Sequence, residues 1–147
     1  MREPIVYLKE IYKRYAGFID GPGWNHIKNF SFNRDRDRYI YSRAKVGLNV
    51  NLPEQIEAVY ELNERTYQLA ACGAPQLIDH PRLLDKTFSK EAIFIAENPK
   101  QYTELFIELM NNPEMGQKAA LLAQKEVFEK HTTFHRASAF LEDLKGL

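Results

Sequence analysis

Two stretches of this chain combine side-chain types and spacing that could do chemistry. Asn63-Glu64-Arg65-Thr66-Tyr67-Gln68 opens an expected helix. The first N–H groups of a helix have no intrahelical acceptor, and its dipole favours an anion there. Arg65 adds a planar guanidinium fork suited to phosphate oxygens. The same residues also read as scaffold, with Asn63 a plain cap and Arg65 paired to Glu61 or Glu64; from these residues alone the two readings are even. Gly21-Pro22-Gly23-Trp24 follows an expected strand. Its glycines would let backbone N–H groups approach a ligand, and Trp24 could stack on a base or sugar. A plain turn with a packed tryptophan is the simpler reading of these four residues. The dinucleotide fingerprint is excluded, because no third glycine leads straight into a helix.

Other polar groupings carry less. Asp35-Arg36-Asp37 has the spacing of a metal-binding Asp-x-Asp pair, but Arg34, Arg36 and Arg38 interleave with it, so a charge-balanced helix turn is the expectation and no metal is assigned. These arginines are too few and too acid-diluted for a nucleic-acid surface. Cys72, just before Gly73, reads as a small packed residue rather than a nucleophile. His131 and His135 are separated by Thr132-Thr133, which breaks any metal-binding helix turn. No catalytic residue is assigned.

The elements that must position these residues follow from periodicity and punctuation. Residues 4–15 predict a helix, with Ile5, Leu8, Ile11, Tyr12 and Tyr15 at helical spacing. Short strands are predicted at 16–20 and 27–32, an arginine-rich helix at 34–44, and a strand at 46–51. Residues 52–62 read as irregular or weakly helical, and 63–71 as a helix stopped by Cys72-Gly73. Strands at 75–79 and 92–96 follow. Asn98-Pro99, Asn112-Pro113 and Thr132 or Thr133 then start three helices, the last with an inner face of Phe134, Ala137, Leu141 and Leu144. Strands alternating with helices imply an α/β fold, a parallel sheet of about five strands with helices on both faces and a helical C-terminus. Such sheets bind ligands at the carboxyl ends of their strands.

A chain of 147 residues, 44% hydrophobic and 12% aromatic, is expected to form one domain with a real core. Twenty Lys and Arg balance twenty Asp and Glu, which argues against a dedicated nucleic-acid binder. One cysteine excludes an internal disulfide framework. No apolar run approaches the ~20 residues that span a bilayer, and the opening Met1-Arg2-Glu3-Pro4 is unlike a signal peptide. A soluble, cytoplasmic protein is the expectation.

Gly21-Pro22-Gly23-Trp24, the run from Tyr41 to Asn51 (Tyr-Ser-Arg-Ala-Lys-Val-Gly-Leu-Asn-Val-Asn), the run from Asn63 to Ile78 (Asn-Glu-Arg-Thr-Tyr-Gln-Leu-Ala-Ala-Cys-Gly-Ala-Pro-Gln-Leu-Ile), and His131-Thr132-Thr133 with Arg136 follow one another in an order that resembles the C-terminal half of GT-B glycosyltransferases. The spore-maturation-type members of the group-1 glycosyltransferases look closest. The resemblance covers roughly residues 17–145 and is most specific from Asn63 to Ile78. It implies a Rossmann-like domain that binds a nucleotide-diphosphate-sugar as donor and needs no metal or other cofactor. In that family Gly21, Gly23, Trp24 and Asn33 would lie beside the base, Asn63, Arg65 and Thr66 by the diphosphate and sugar, and Gln68 at the ribose.

The chain departs from the family at three points: Gln68 replaces a glutamate, Glu61 replaces a glycine, and the opening strand with its basic loop is missing ahead of the first helix. The acceptor-binding domain would then lie on a missing segment or another chain. A non-catalytic glycosyltransferase-like module, completed by a partner or a homodimer, is the alternative.

Overall fold

A computed structural model describes residues 4–15, 37–58 and 60–146. The predicted strands at 16–20 and 27–32 lie outside them. Element order is α1 (Pro4–Tyr12), α2 (Asp37–Tyr41), β1 (Gly47–Asn49), α3 (Pro53–Ile56), α4 (Glu64–Ala71), β2 (Gln76–Asp79), α5 (Leu84–Thr87), β3 (Phe94–Ala96), α6 (Pro99–Asn111), α7 (Pro113–Lys130) and α8 (Thr133–Lys145). Among the described residues the sheet has three strands rather than about five, all parallel, in the order β1-β2-β3. The register sets Leu48 beside Leu77 and Ile78 beside Ile95.

Side chains alternate across β2, so consecutive residues serve opposite faces. Leu77 joins Tyr7, Leu8, Ile11, Tyr102, Phe106 and Leu109 on the face covered by α1 and α6. Ile78 joins Ala70, Leu84, Phe88, Ala123 and Val127 on the face covered by α4 and α7. The α/β expectation of helices on both faces is met. Gly47 lets α4 lie close on β1, since a Cβ there would stand 2.6 Å from a Leu69 methyl.

Local signals set most helix ends. The Asn98 side chain accepts from the Gln101 N–H and starts α6, and Thr132 with His135 forms a reciprocal cap on α8. Asn112 starts α7 without a side-chain cap bond, the proline at the next position lacking a donor to satisfy. Gly73 closes α4 in the left-handed region at φ 68°.

One expectation is overturned. The predicted inner face of α8 is not inside: no α8 residue is buried, and Phe134, Leu141 and Leu144 stand in solvent together with Phe140. Periodicity identified the apolar stripe but carries no information about what it meets. No helix of the described residues is long and apolar enough to cross a membrane.

Candidate functional site

The carboxyl ends of β1 and β2 carry polar residues where apolar ones would normally fill the sheet. Asn49 and Asp79 are 0% exposed and Asn51 is 1% exposed. Their groups are satisfied by a shared network, as burial of polar atoms requires. Both Asp79 carboxylate oxygens accept from the Asn51 backbone N–H, at 3.2 and 3.1 Å, and one also accepts from the Asn51 side-chain amide. The Asn51 amide oxygen in turn accepts from Asn63 Nδ2. Asn63 and Asn49 exchange two amide hydrogen bonds of 3.0 and 3.1 Å.

This network terminates at the head of α4. Asn63 Oδ1 accepts from the Thr66 N–H at 3.0 Å and from the Thr66 hydroxyl at 3.0 Å, and that hydroxyl accepts from Asn49 Nδ2. Asn63 is therefore the cap of α4, and its amide is fully used within the protein. Thr66 is 0% exposed, and its hydroxyl belongs to the same network. The N–H groups of Glu64 and Arg65, the two ahead of Thr66 in the first turn, meet no acceptor among the described residues. Arg65 is exposed, and its guanidinium has no ion pair or hydrogen bond among the described residues. Of the scaffold alternative, the Asn63 cap is present, whereas a pairing of Arg65 with Glu61 or Glu64 is not formed among the described residues; Glu64 instead accepts from Gln68 Nε2 at 2.8 Å.

Beneath the network, Tyr102 of α6 donates its hydroxyl to the carbonyls of Leu77 at 3.0 Å and Asn49 at 3.3 Å, bridging β1 and β2. Burial holds that hydroxyl well above the usual tyrosine range, and the Asp79 charge pushes the same way. The bond to Asn49 and the charge of Arg65 pull back. One residue beyond Asp79, His80 lies between two carboxylates, its Nδ1 2.7 Å from Glu97 and its Nε2 3.1 Å from Asp85. These carboxylates bracket the ring from opposite sides, and no group of His, Cys, Asp or Glu among the described residues could hold a metal ion.

Of the predicted site residues, Asn63, Arg65, Thr66 and Gln68 share the head of α4, with Arg65 and Gln68 exposed and Asn63 and Thr66 turned inward. Gly21, Gly23, Trp24 and Asn33 lie outside the described residues, as do Asp35 and Arg36. Asn49, Asn51 and Asp79 were missed as site residues. Their signal was present: Asn49-Val50-Asn51 has amides at period two at the end of an otherwise apolar strand, on the edge where α/β sheets bind ligands.

Comparison with known proteins adds one finding. A glycosyl transferase-like family model matches residues 6–142, nearly the whole chain, whereas no curated protein and no solved structure matches at a significant level. The matched span takes in both faces of the parallel sheet and the α4 head with its network, and on that extent of agreement the chain belongs to the glycosyl transferase-like family.

Proposed function

We propose that this chain binds the diphosphate of a nucleotide-sugar at the head of α4 and acts as the donor-binding domain of a metal-independent glycosyltransferase. The observation that carries the reading is a set of unpartnered donors at the head of α4, beside the carboxyl edge of a parallel sheet. The N–H groups of Glu64 and Arg65 and the Arg65 guanidinium are all without protein partners there among the described residues. Two amides, a helix dipole and a guanidinium would stabilise charge growing on a departing diphosphate, the task a metal performs elsewhere. Gln68 would offer an acceptor to the ribose, and Gly21, Gly23, Trp24 and Asn33 would flank the base. The acceptor and the general base would come from another segment or another chain. A cytoplasmic location fits a nucleotide-sugar donor.

Isothermal titration of uridine and guanosine diphosphates, with a chelator present, tests this. Binding by the wild type and a loss of roughly tenfold or more in Arg65→Ala are expected, the size of a charge-assisted hydrogen bond. No heat from any diphosphate in a folded sample overturns it.

A second reading, a non-catalytic interaction module, draws on the uncovered apolar stripe of α8. It predicts a nucleotide-insensitive homodimer or partner complex, which light scattering after size exclusion would reveal.

A further inference from the structure

We infer that a second copy of this chain covers the apolar stripe of α8, the two helices packing antiparallel about a two-fold axis beside Ala139. The inference rests on the second reading above in one respect, that the stripe docks a partner, and it is independent of the donor site. Phe134, Phe140, Leu141 and Leu144 are 85%, 62%, 56% and 49% exposed. Phe134, Ala137, Leu141 and Leu144 follow one another at intervals of three, four and three, the seam that one helix offers to another. Phe140 flanks that seam on one side, and the seam itself carries no charge. In the monomer α8 has its own cap and the contact of Arg136 with Tyr67. A second copy adds the tertiary support that a helix of thirteen residues otherwise lacks.

The spacing is symmetric about Ala139, and that symmetry selects the occupant. Laid antiparallel on its own copy, α8 sets Phe134 opposite Leu144 and Ala137 opposite Leu141, large against large at the ends and small against large within. The two Phe140 rings then meet beside the axis. Packing in this sense also keeps the bodies apart. Each body joins its α8 at the Thr132 end, and the two ends lie roughly 20 Å from each other along the pair. The opposite face of the helix argues for protein over lipid. His135, Arg136, Glu142 and Asp143 lie across from the stripe, and Lys145 pairs with Glu142 at 2.6 Å. Arg136 and Lys145 cancel Glu142 and Asp143, whereas a helix that lies on a lipid surface carries an excess of Lys and Arg there. Eight large side chains from two copies remove roughly 1,000 Å² from water, the low end for a specific contact. Association in the micromolar range follows.

Light scattering or sedimentation equilibrium of the full chain, between about 1 and about 500 µM, tests this. The mass should rise with concentration from 17.2 kDa toward twice that value. Phe140→Glu sets two like charges face to face beside the axis and should weaken association roughly tenfold or more, and Phe140→Lys should do the same. The Phe140 side chain stands in solvent, so neither substitution removes a core contact. Mixed in equal amounts, these two variants should pair with each other, an outcome that requires contact between copies at this position. Orientation is read by oxidation in a Cys72→Ser background. Phe140→Cys should crosslink the dimer, and Phe134→Cys, about 15 Å from its mate in antiparallel packing, should not. Monomer at every concentration overturns the inference. So does a dimer that is indifferent to Phe140→Glu, or one that crosslinks through Phe134→Cys instead of Phe140→Cys. Monomer that floats with vesicles of phosphatidylcholine and phosphatidylserine assigns the stripe to lipid and overturns it as well. Monomer that forms a complex with a different protein overturns it too, but leaves the second reading standing. Diphosphate binding in any of these samples bears on the donor site alone.

Discussion

Glu64 occupies the first turn of α4, where its charge complements the helix dipole but opposes a diphosphate. Its bond to Gln68 holds it on the exposed side of the helix. Replacing it by glutamine should move stability and affinity in opposite directions. Stability is expected to drop by about 0.3–1 kcal/mol. Diphosphate affinity should rise roughly threefold, the effect of ~0.7 kcal/mol between unit charges ~6 Å apart in water. Chemical unfolding and calorimetry on Glu64→Gln read the two quantities, and a fall in affinity would show that Glu64 contacts the ligand favourably. His80 gives the pH dependence. Burial pulls its pKa down, but the hydrogen bonds and charges of Asp85 and Glu97 outweigh that and leave it raised. A raised folded pKa means the imidazolium contributes stability fully below the unfolded value of about 6.5 and loses it as pH climbs through the folded value. Its carboxylate partners are well exposed, at 48% and 61%, so the contribution should be no more than ~1 kcal/mol. Urea unfolding should therefore show the wild type's margin over His80→Gln intact below about pH 6.5 and shrinking as pH climbs through the raised folded pKa. A margin that grows over that range would contradict the ion-pair account.

Helix α8 shows what an element owes to its own sequence and what it owes to neighbours. Its start is local: Thr132 and His135 cap each other across one turn. Its thirteen residues bury nothing, and helices of that length are marginal without tertiary support. Among the described residues α8 reaches the body through Arg136, whose guanidinium lies 4.7 Å from the centre of the Tyr67 ring. Deleting residues 133–147 should thus cost only the ~0.5–1 kcal/mol of an exposed cation–π contact, a shift of roughly 2–4 °C in Tm. Collapse of the cooperative transition in a thermal melt would show that α8 supports the body in a way its exposure does not reveal. The same division explains what was legible elsewhere. The ends of α4 and α6 follow from Asn63, Gly73 and Asn98, residues that act within a turn of where they stand. Helix α5 carries no such mark; Leu84 anchors it in the core beside Phe88 and Ile93, contacts invisible along the chain. At the site, the start of α4 at an Asn63 cap was readable. The inward turn of Asn63 and Thr66 was not, because Asn49, Asn51 and Asp79 reach them from 12 to 28 residues' separation along the network.

Across the whole molecule, the described sheet is only three strands wide and must keep two cores apart. Leu77 and Ile78 are adjacent in sequence and both 0% exposed, yet they belong to different clusters. The α1–α6 layer packs on one and the α4–α7 layer on the other. If each core is close-packed in its own right, removing a methylene from one face should leave the other undisturbed. Leu77→Val and Ile78→Val are each expected to cost about 0.5–1.5 kcal/mol. Side chains without shared partners couple weakly, so the double variant should equal the sum within ~0.5 kcal/mol. Chemical unfolding of the two single variants and the double measures this directly. A larger coupling would mean that strain crosses the sheet, and its route would run through Tyr102. That residue sits in the α1–α6 core, and its hydroxyl holds the carbonyls of Leu77 and Asn49 at the same edge as the α4 head. Diphosphate affinity in Leu77→Val then becomes the deciding readout. Unchanged affinity with simple additivity establishes that the network at the carboxyl edge is insulated from core packing. Weakened affinity with coupling establishes that Tyr102 transmits the packing of the α1–α6 layer to the site.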